Sequence, residues 1–361
     1  MNKNYQNIII NSVNYDKEKI QTSLTNAPDL PSWKRAVFEF CLEWLNKNPT
    51  ITATTSGTTG KPKTILLQKE KMVNSALKTG AFFKLERNVK ALLCLAPKYI
   101  AGKMMIVRAF VLGLDLVLVE PTGNPLKGLR QQEIGFAAMV PLQVLNSFSS
   151  EAELTQLRLI EQTIIGGGVV SKSLHQLLQQ EQNQFYATYG MTETITHIAI
   201  KKLNGVEASD HYTTLPKVSI TTDTRGCLVI HAPDVAEEKV ITNDLVKIIT
   251  PDQFQWLGRF DNIINTGGVK VIPEEVEQIL GKHLSRRFFI SSIPDEKLGN
   301  QIILVVEGSH FSKNEKQSLI NFMKANLPKY SIPKEIFYIQ HFKETASGKV
   351  RRSATLAALF G

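Results

Sequence analysis

The sequence predicts an α/β protein in two unequal parts. The larger is an N-terminal domain with a mostly parallel sheet covered by helices plus a small antiparallel β portion; the smaller is an α+β C-terminal domain. Three observations predict this. Between Ala91 and Gly190, "ALLCLAP", "LDLVLV", "GFAAMV", "QTIIGGG" and "QFYATYG" alternate with helical patterns, each an apolar run ending at a loop. Continuous apolar strands separated by helices imply parallel strands buried on both faces. After Gly205 the runs "GCLVIHA", "EKVITND" and "LVKII" are shorter and more alternating, as antiparallel strands are. The polar, glycine-rich "GRFDNIINTGG" then precedes a compact unit, which places the domains at 1–258 and 262–361 with residues 259–261 between them.

Composition bounds the class. The chain has 361 residues, long for one core, and is 43% hydrophobic and 21% charged, as ordinary globular proteins are. Its 42 Lys/Arg against 33 Asp/Glu give a formal charge of +9, spread without a block of like charges. Such a balance suits polyanionic small molecules; no nucleic-acid motif accompanies it. Cys41, Cys94 and Cys227 are odd in number and far apart, against a disulfide framework or a zinc site. The start lacks a long apolar stretch, and "MMIVRAFVLGLDLVLV" is interrupted by Arg108 and Asp115. The expectation is a cytoplasmic protein without membrane insertion. A homo-oligomer is compatible with all of this and required by none of it.

The C-terminal unit reads element by element. "PEEVEQIL" is a helix with Pro273 in its first turn and Val276, Ile279 and Leu280 on one face. "RFFISS" and "IILVVE" are strands. "SKNEKQSLINFMKANL" is a helix opened by a capping box of Ser312 and Glu315, and "EIFYIQ" is a last strand.

In parallel sheets ligands gather at the carboxyl ends of strands, where this chain carries its Gly- and Thr-rich loops. "TSGTTGKPK" holds Thr55, Ser56, Gly57, Thr58, Thr59, Gly60, Lys61 and Lys63 ahead of the apolar Ile65 to Leu67. Glycines let backbone N–H groups curl around an anion, hydroxyls add donors and lysines add charge. Two residues separate Gly57 from Gly60, and Pro62 follows the lysine, which excludes a Walker A loop. Taken alone, a plain surface turn stays open.

The whole string resembles the phosphate loop of the adenylate-forming superfamily, which includes acyl-CoA synthetases, luciferases and nonribosomal adenylation domains. Further motifs of that family follow in order. "YGMTET" supplies Tyr189, Gly190, Met191, Thr192 and Glu193. The resemblance implies that Tyr189 lies beside adenine, Thr192 near the phosphates and Glu193 on Mg²⁺, a cation that prefers hard oxygen ligands. Gly166, Gly167 and Gly168 resemble the loop that lies flat against adenine. Asp244 stands where the family has the carboxylate that accepts from the ribose hydroxyls. Asn243 replaces the family's usual glycine before it, and Asn tolerates left-handed backbone. In "WLGRFDNIINTGGVKVIPEEVE" the resemblance makes Arg259 a nucleotide contact and Asp261 the hinge of a mobile C-terminal domain. Gly267 and Gly268 would line the pantetheine tunnel for coenzyme A. In "TASGKVRR", Lys349 matches the catalytic lysine on a mobile loop; its ammonium would stabilise the charge that gathers on the α-phosphate under attack. The resemblance runs from about Thr52 to Arg352, with a shortened region ahead of the phosphate loop. It implies ATP and Mg²⁺ as cofactors and coenzyme A as co-substrate.

The acid is read from "APKYIAGKMMIVRAF". Tyr99 stands where the family commonly has His, followed by Gly102. Lys103 and Arg108 are basic residues in an apolar stretch and need partners. Five residues apart on a helix, they differ by about 500° and lie on different faces. Arg108 is either paired structurally or aimed at a second carboxylate of the substrate. The pattern resembles the o-succinylbenzoate–CoA ligases of menaquinone biosynthesis, whose substrate is an aryl dicarboxylic acid. Thr196, and His197 beside it, are further candidates for that pocket. Another aryl- or acyl-CoA synthetase, or a noncatalytic nucleotide-binding regulator, is the alternative.

Overall fold

The computed structural model describes residues 5–54, 64–344 and 350–361. One mixed sheet of thirteen strands organises residues 8–259. Its parallel part runs in the order Gln184–Gly190, Ile160–Ile165, Ile134–Met139, Lys90–Leu93, Asp115–Leu118 and Ile8–Ile10. The hairpin partner Val13–Tyr15 closes that edge. On the other side His197–Lys202 pairs antiparallel with Gln184–Gly190 and leads on through Tyr212–Thr214, Gln253–Arg259, Val240–Thr250, Cys227–His231 and Ser219–Thr222.

The strand residues alternate between two cores. Ala91, Leu93, Phe136 and Ala138 pack on one face, and Leu92, Cys94, Ala137 and Met139 on the other. Burial on both faces is why these strands read as unbroken apolar runs. All three cysteines sit inside these layers as free thiols. Burial pushes Cys94 up to about 12, and it raises Cys41 and Cys227 as well.

The expected α/β class with a smaller α+β unit is found, and the structure refines two details of it. The antiparallel portion is large and continuous with the parallel sheet: seven antiparallel pairings accompany five parallel ones. "EKVITND" and "LVKII" also form a single strand, Val240–Thr250, because Asn243 takes no left-handed turn.

Beyond Arg259 a short 3-10 turn, Phe260–Asn262, leads to separate small sheets. Ile264–Thr266 and Val269–Val271 form a hairpin, and Phe288–Asp295, Gly299–Glu307 and Glu335–Ile339 form a three-stranded sheet. Helices Pro273–Leu280 and Lys313–Asn326 cover it, the second with the expected Ser312/Glu315 capping box. Among the described residues, no cluster of buried apolar side chains joins residues up to 254 with residues from 264 onward. No helix of the described residues is long and apolar enough to cross a membrane.

Candidate active site

The carboxyl ends of the parallel strands converge on one rim. Strand Gln184–Gly190 runs into the 3-10 turn Thr192–Thr194, and strand Ile160–Ile165 runs into Gly166–Gly168. A Cβ on Gly166 would stand 2.7 Å from Thr188 Oγ1, and Gly167 has φ of 76°. The bare backbone of this loop is therefore enforced by the neighbouring strand. Gly190 is tighter still, since its Cβ would meet Thr196 O at 2.2 Å. The chain returns over Gly190 through a three-residue turn in which Thr196 N–H donates to Thr194 O at 2.7 Å. The central residue, Ile195, is buried and held at φ 66°. A β-branched residue in that region is strained, and such strain persists only where its surroundings fix it. Met191 is half-buried at this corner, Thr192 is partly covered and the Glu193 carboxylate is exposed.

Tyr189 donates its hydroxyl to Asp244 Oδ2 at 2.7 Å, and Trp256 Nε1 donates to Asp244 Oδ1 at 3.2 Å. Burial, with the adjacent Asp244 charge, raises the Tyr189 phenol far above its ordinary range and keeps it a donor. Its ring stands edge-on to Tyr212 and Phe254, which stack on each other. Arg259 reaches both acids, with Nη1 3.7 Å from Asp244 Oδ1 and Nη2 2.7 Å from Asp261 Oδ2. Asp244 and Asp261 are thus linked through one guanidinium. Asn243, from the same strand as Asp244, also donates to Asp261.

Gly267 and Gly268 form the two-residue loop of the hairpin, with φ of 55° and 81°. Two consecutive positive φ values match the strand twist and select glycine. The phosphate-loop residues Thr55 to Lys63 and Lys349 lie outside the described residues. Their flanks are defined: Thr54 pairs with Thr64, and Glu344 bridges Val350. Arg352, three residues past Lys349, donates to Glu277 at 2.9 Å and to Ile290 O at 3.3 Å.

Helix Ile100–Leu112 begins at the same rim. Gly102 lets it start there, because a Cβ would lie 2.3 Å from Ala96 O. Tyr99 is the partly buried residue ahead of the first turn. Lys103 and Arg108 go to different partners, as their faces require. Lys103 Nζ lies 3.4 Å from Glu43 Oε2 and 4.3 Å from the centre of the Phe40 ring. That pair joins two helices and gives Lys103 a counterion within the protein. Arg108 is 1% exposed and points back toward the helix N-terminus. It donates to Thr196 Oγ1 at 3.3 Å and contacts Met105 Sδ at 3.4 Å, while its Nε has no partner among the described residues. Those residues place no carboxylate within ion-pair distance of it. Burial lowers its pKa to about 10, so it remains a cation at neutral pH.

Sequence reasoning passed over Trp256, Tyr212 and Phe254. Trp256 opens the motif that contains Arg259, which was the available signal; nothing local marks the other two.

A rim of glycine backbone, an aromatic cluster and paired acids on an open α/β sheet is the architecture of a nucleotide-using enzyme. The family model described as "AMP-binding enzyme" matches residues 11–229, and the chain belongs to that family. The chain is 25% identical to the 2-succinylbenzoate–CoA ligase of Listeria monocytogenes over 83% of its own length and 68% of that protein's. It is 27% identical to the enzyme of the same name from Geobacillus sp., over 82% and 66%. Among solved structures it is similar to an acyl-CoA synthetase (AMP-forming)/AMP-acid ligase II-like protein from Dyadobacter fermentans: 35% identity, TM-score 0.63, 95% of this chain and 98% of that one. It shares the fold of the Bacillus subtilis o-succinylbenzoate coenzyme A synthetase in complex with ATP and magnesium ion, at 20% identity and TM-score 0.69, over 84% and 69%.

Proposed function

We propose that this chain is an acid–thiol ligase that activates 2-succinylbenzoate with ATP and transfers the acyl group to coenzyme A. The observation that carries the choice of acid is Arg108: a buried cation at the rim, with no carboxylate beside it among the described residues. A buried charge without a counterion is costly, and an anionic substrate group offsets that cost when bound. Relatives named 2-succinylbenzoate–CoA ligase support the same reading.

The proposed site divides by task. Tyr189, Gly190, Met191 and Gly166 to Gly168 receive the adenine, Asp244 the ribose, and Arg259, Thr192 and Thr55 to Lys63 the phosphates. Glu193 offers the exposed oxygen that Mg²⁺ takes, and the ion would spread the charge of the phosphates. One carboxylate would be enough, since Mg²⁺ is commonly held by one or two carboxylates together with substrate phosphates and waters. Arg108, Thr196, Gly102 and Tyr99 shape the acid pocket. The acid's aliphatic carboxylate attacks the α-phosphorus, the bond to pyrophosphate breaks, and Lys349 stabilises the charge that develops. The thiol of coenzyme A then displaces AMP from the acyl carbon. The division into 1–258 and 262–361, turning about Asp261, would bring Gly267 and Gly268 to the rim in place of Lys349 for that second step.

A panel of mono- and dicarboxylic acids with ATP, Mg²⁺ and coenzyme A, followed as AMP release, tests this. Turnover of 2-succinylbenzoate above monocarboxylates is expected. The reverse order would move the enzyme to another acyl- or aryl-CoA ligase.

A further inference from the structure

Of the seven histidines, His197 alone is buried. Its two ring nitrogens face two hydroxyls, one from a distant helix and one from the residue before it. Nε2 lies 3.3 Å from Thr79 Oγ1, and Nδ1 lies 3.4 Å from Thr196 Oγ1. Thr79, in helix Lys69–Phe83, is itself fully buried and donates to Ser75 O at 3.1 Å. Thr196 is the residue on which Arg108 rests.

The protons in this chain can be assigned one by one. Ser75 O is a carbonyl that only accepts, and the chain is read with the single Thr79 hydroxyl proton given to it. Thr79 Oγ1 therefore accepts from His197, and Nε2 carries the hydrogen. Burial, and then the nearby Arg108 charge, holds the imidazole well below its ordinary range, so the ring is neutral and Nδ1 is bare. A bare Nδ1 takes the hydroxyl proton of Thr196. The lone pairs of Thr196 are then what faces Arg108, which has only donors to offer. The direction of the whole chain rests on Thr79 donating to one helix carbonyl.

We propose that His197 and Thr79 are positioning residues for the acid pocket: through Thr196 they fix the guanidinium of Arg108 in the orientation that receives a substrate carboxylate. The proposal rests on the reading of Arg108 as the acid's cation. It has a consequence for recognition. With its hydrogen committed to His197, Thr196 has none to give the acid, so the carboxylate is met by guanidinium N–H groups alone. Without Thr79, the opposite tautomer becomes open, in which Nδ1 donates to Thr196 and the threonine hydrogen is released toward the guanidinium.

The test combines a spectroscopic and a kinetic arm. In ¹⁵N-labelled full-length protein, the imidazole nitrogens of His197, assigned by their loss in His197→Phe, are expected to show a protonated Nε2 and a bare Nδ1 at neutral pH. Thr79→Val should mix or exchange the two nitrogen signals, and Thr79→Ser should restore them. In parallel, Thr79→Val should raise KM for 2-succinylbenzoate about tenfold, the scale of a weakened charge-assisted hydrogen bond, with kcat and KM for ATP unchanged. A protonated Nδ1 in the wild type overturns the proposal. So does a Thr79→Val protein with unaltered nitrogen signals and unaltered KM. The functional reading fails separately, if the wild type turns over no dicarboxylic acid, whatever tautomer the ring shows.

Discussion

Asn243 donates its carboxamide N–H to both carboxylate oxygens of Asp261, at 3.1 and 3.3 Å. Arg225 holds the other end of that carboxamide, 2.8 Å from Asn243 Oδ1. The residue that replaces the family's usual glycine thus ties strand Val240–Thr250 to the proposed hinge. Asn243→Ala should shift the balance between hinge states about fivefold away from the one seen here, as two exposed hydrogen bonds warrant. Single-molecule energy transfer between a label on Val169 and one on Lys313 reads that balance. An unchanged distribution would remove Asn243 from the hinge.

Arg108→Met separates function from stability. If Arg108 serves the substrate, removing a buried charge without a carboxylate partner should leave the melting temperature unchanged or raised. kcat/KM for the dicarboxylic acid should fall about 100-fold, within the range for losing a buried charge contact. A large loss of stability instead would make Arg108 a structural residue.

Lys349→Ala should slow adenylate formation by about 10²–10³-fold, as loss of one transition-state donor does. Thioester formation from supplied acyl-adenylate should be spared. Equal loss in both half-reactions contradicts the role assigned to this lysine.

Gly190→Ala tests the rim itself. The new methyl would lie 2.2 Å from Thr196 O and 2.5 Å from His197 Cα, both backbone atoms that cannot swing aside. A destabilisation of about 3 kcal/mol is expected, at the upper end of the overpacking range. Chemical denaturation measures it, and a near-neutral result would mean that the return at Ile195 is soft.

Glu277 supplies a pH dependence. Burial raises its carboxyl to about 7 despite Arg352 beside it. The folded state therefore holds this proton where the unfolded chain has released it. The associated stability is complete below the unfolded value near 4.5 and is lost as pH rises through about 7. Melting curves of the wild type and Glu277→Gln across that window should converge on the acid side and separate above it. Parallel curves would show that Glu277 titrates normally.

Much of this was legible in the sequence, for identifiable reasons. Strands buried on both faces are written as continuous apolar runs, and Ala91 to Gly190 carries five of them. Arg108 betrayed itself as a lone charge among Met, Ile, Val and Phe. The motif glycines were visible, although what makes Gly102 and Gly190 obligatory is a backbone carbonyl from another segment. The illegible part consists of long-range pairings. Lys103 meets Glu43 across 60 residues, and Thr79 meets His197 across 118. Neither partner carries a local mark. Continuity of the parallel and antiparallel strands was hidden for a related reason, since main-chain hydrogen bonds at a sheet edge use no particular side chain.

The three buried thiols have a practical side. Cys41, Cys94 and Cys227 are each raised by burial and shielded from solvent, so the folded protein offers little thiolate to an electrophile or oxidant. A thiol-reactive dye added to a reaction would then count free coenzyme A and almost nothing else. The same dye would begin to report on the protein only once its layers came apart.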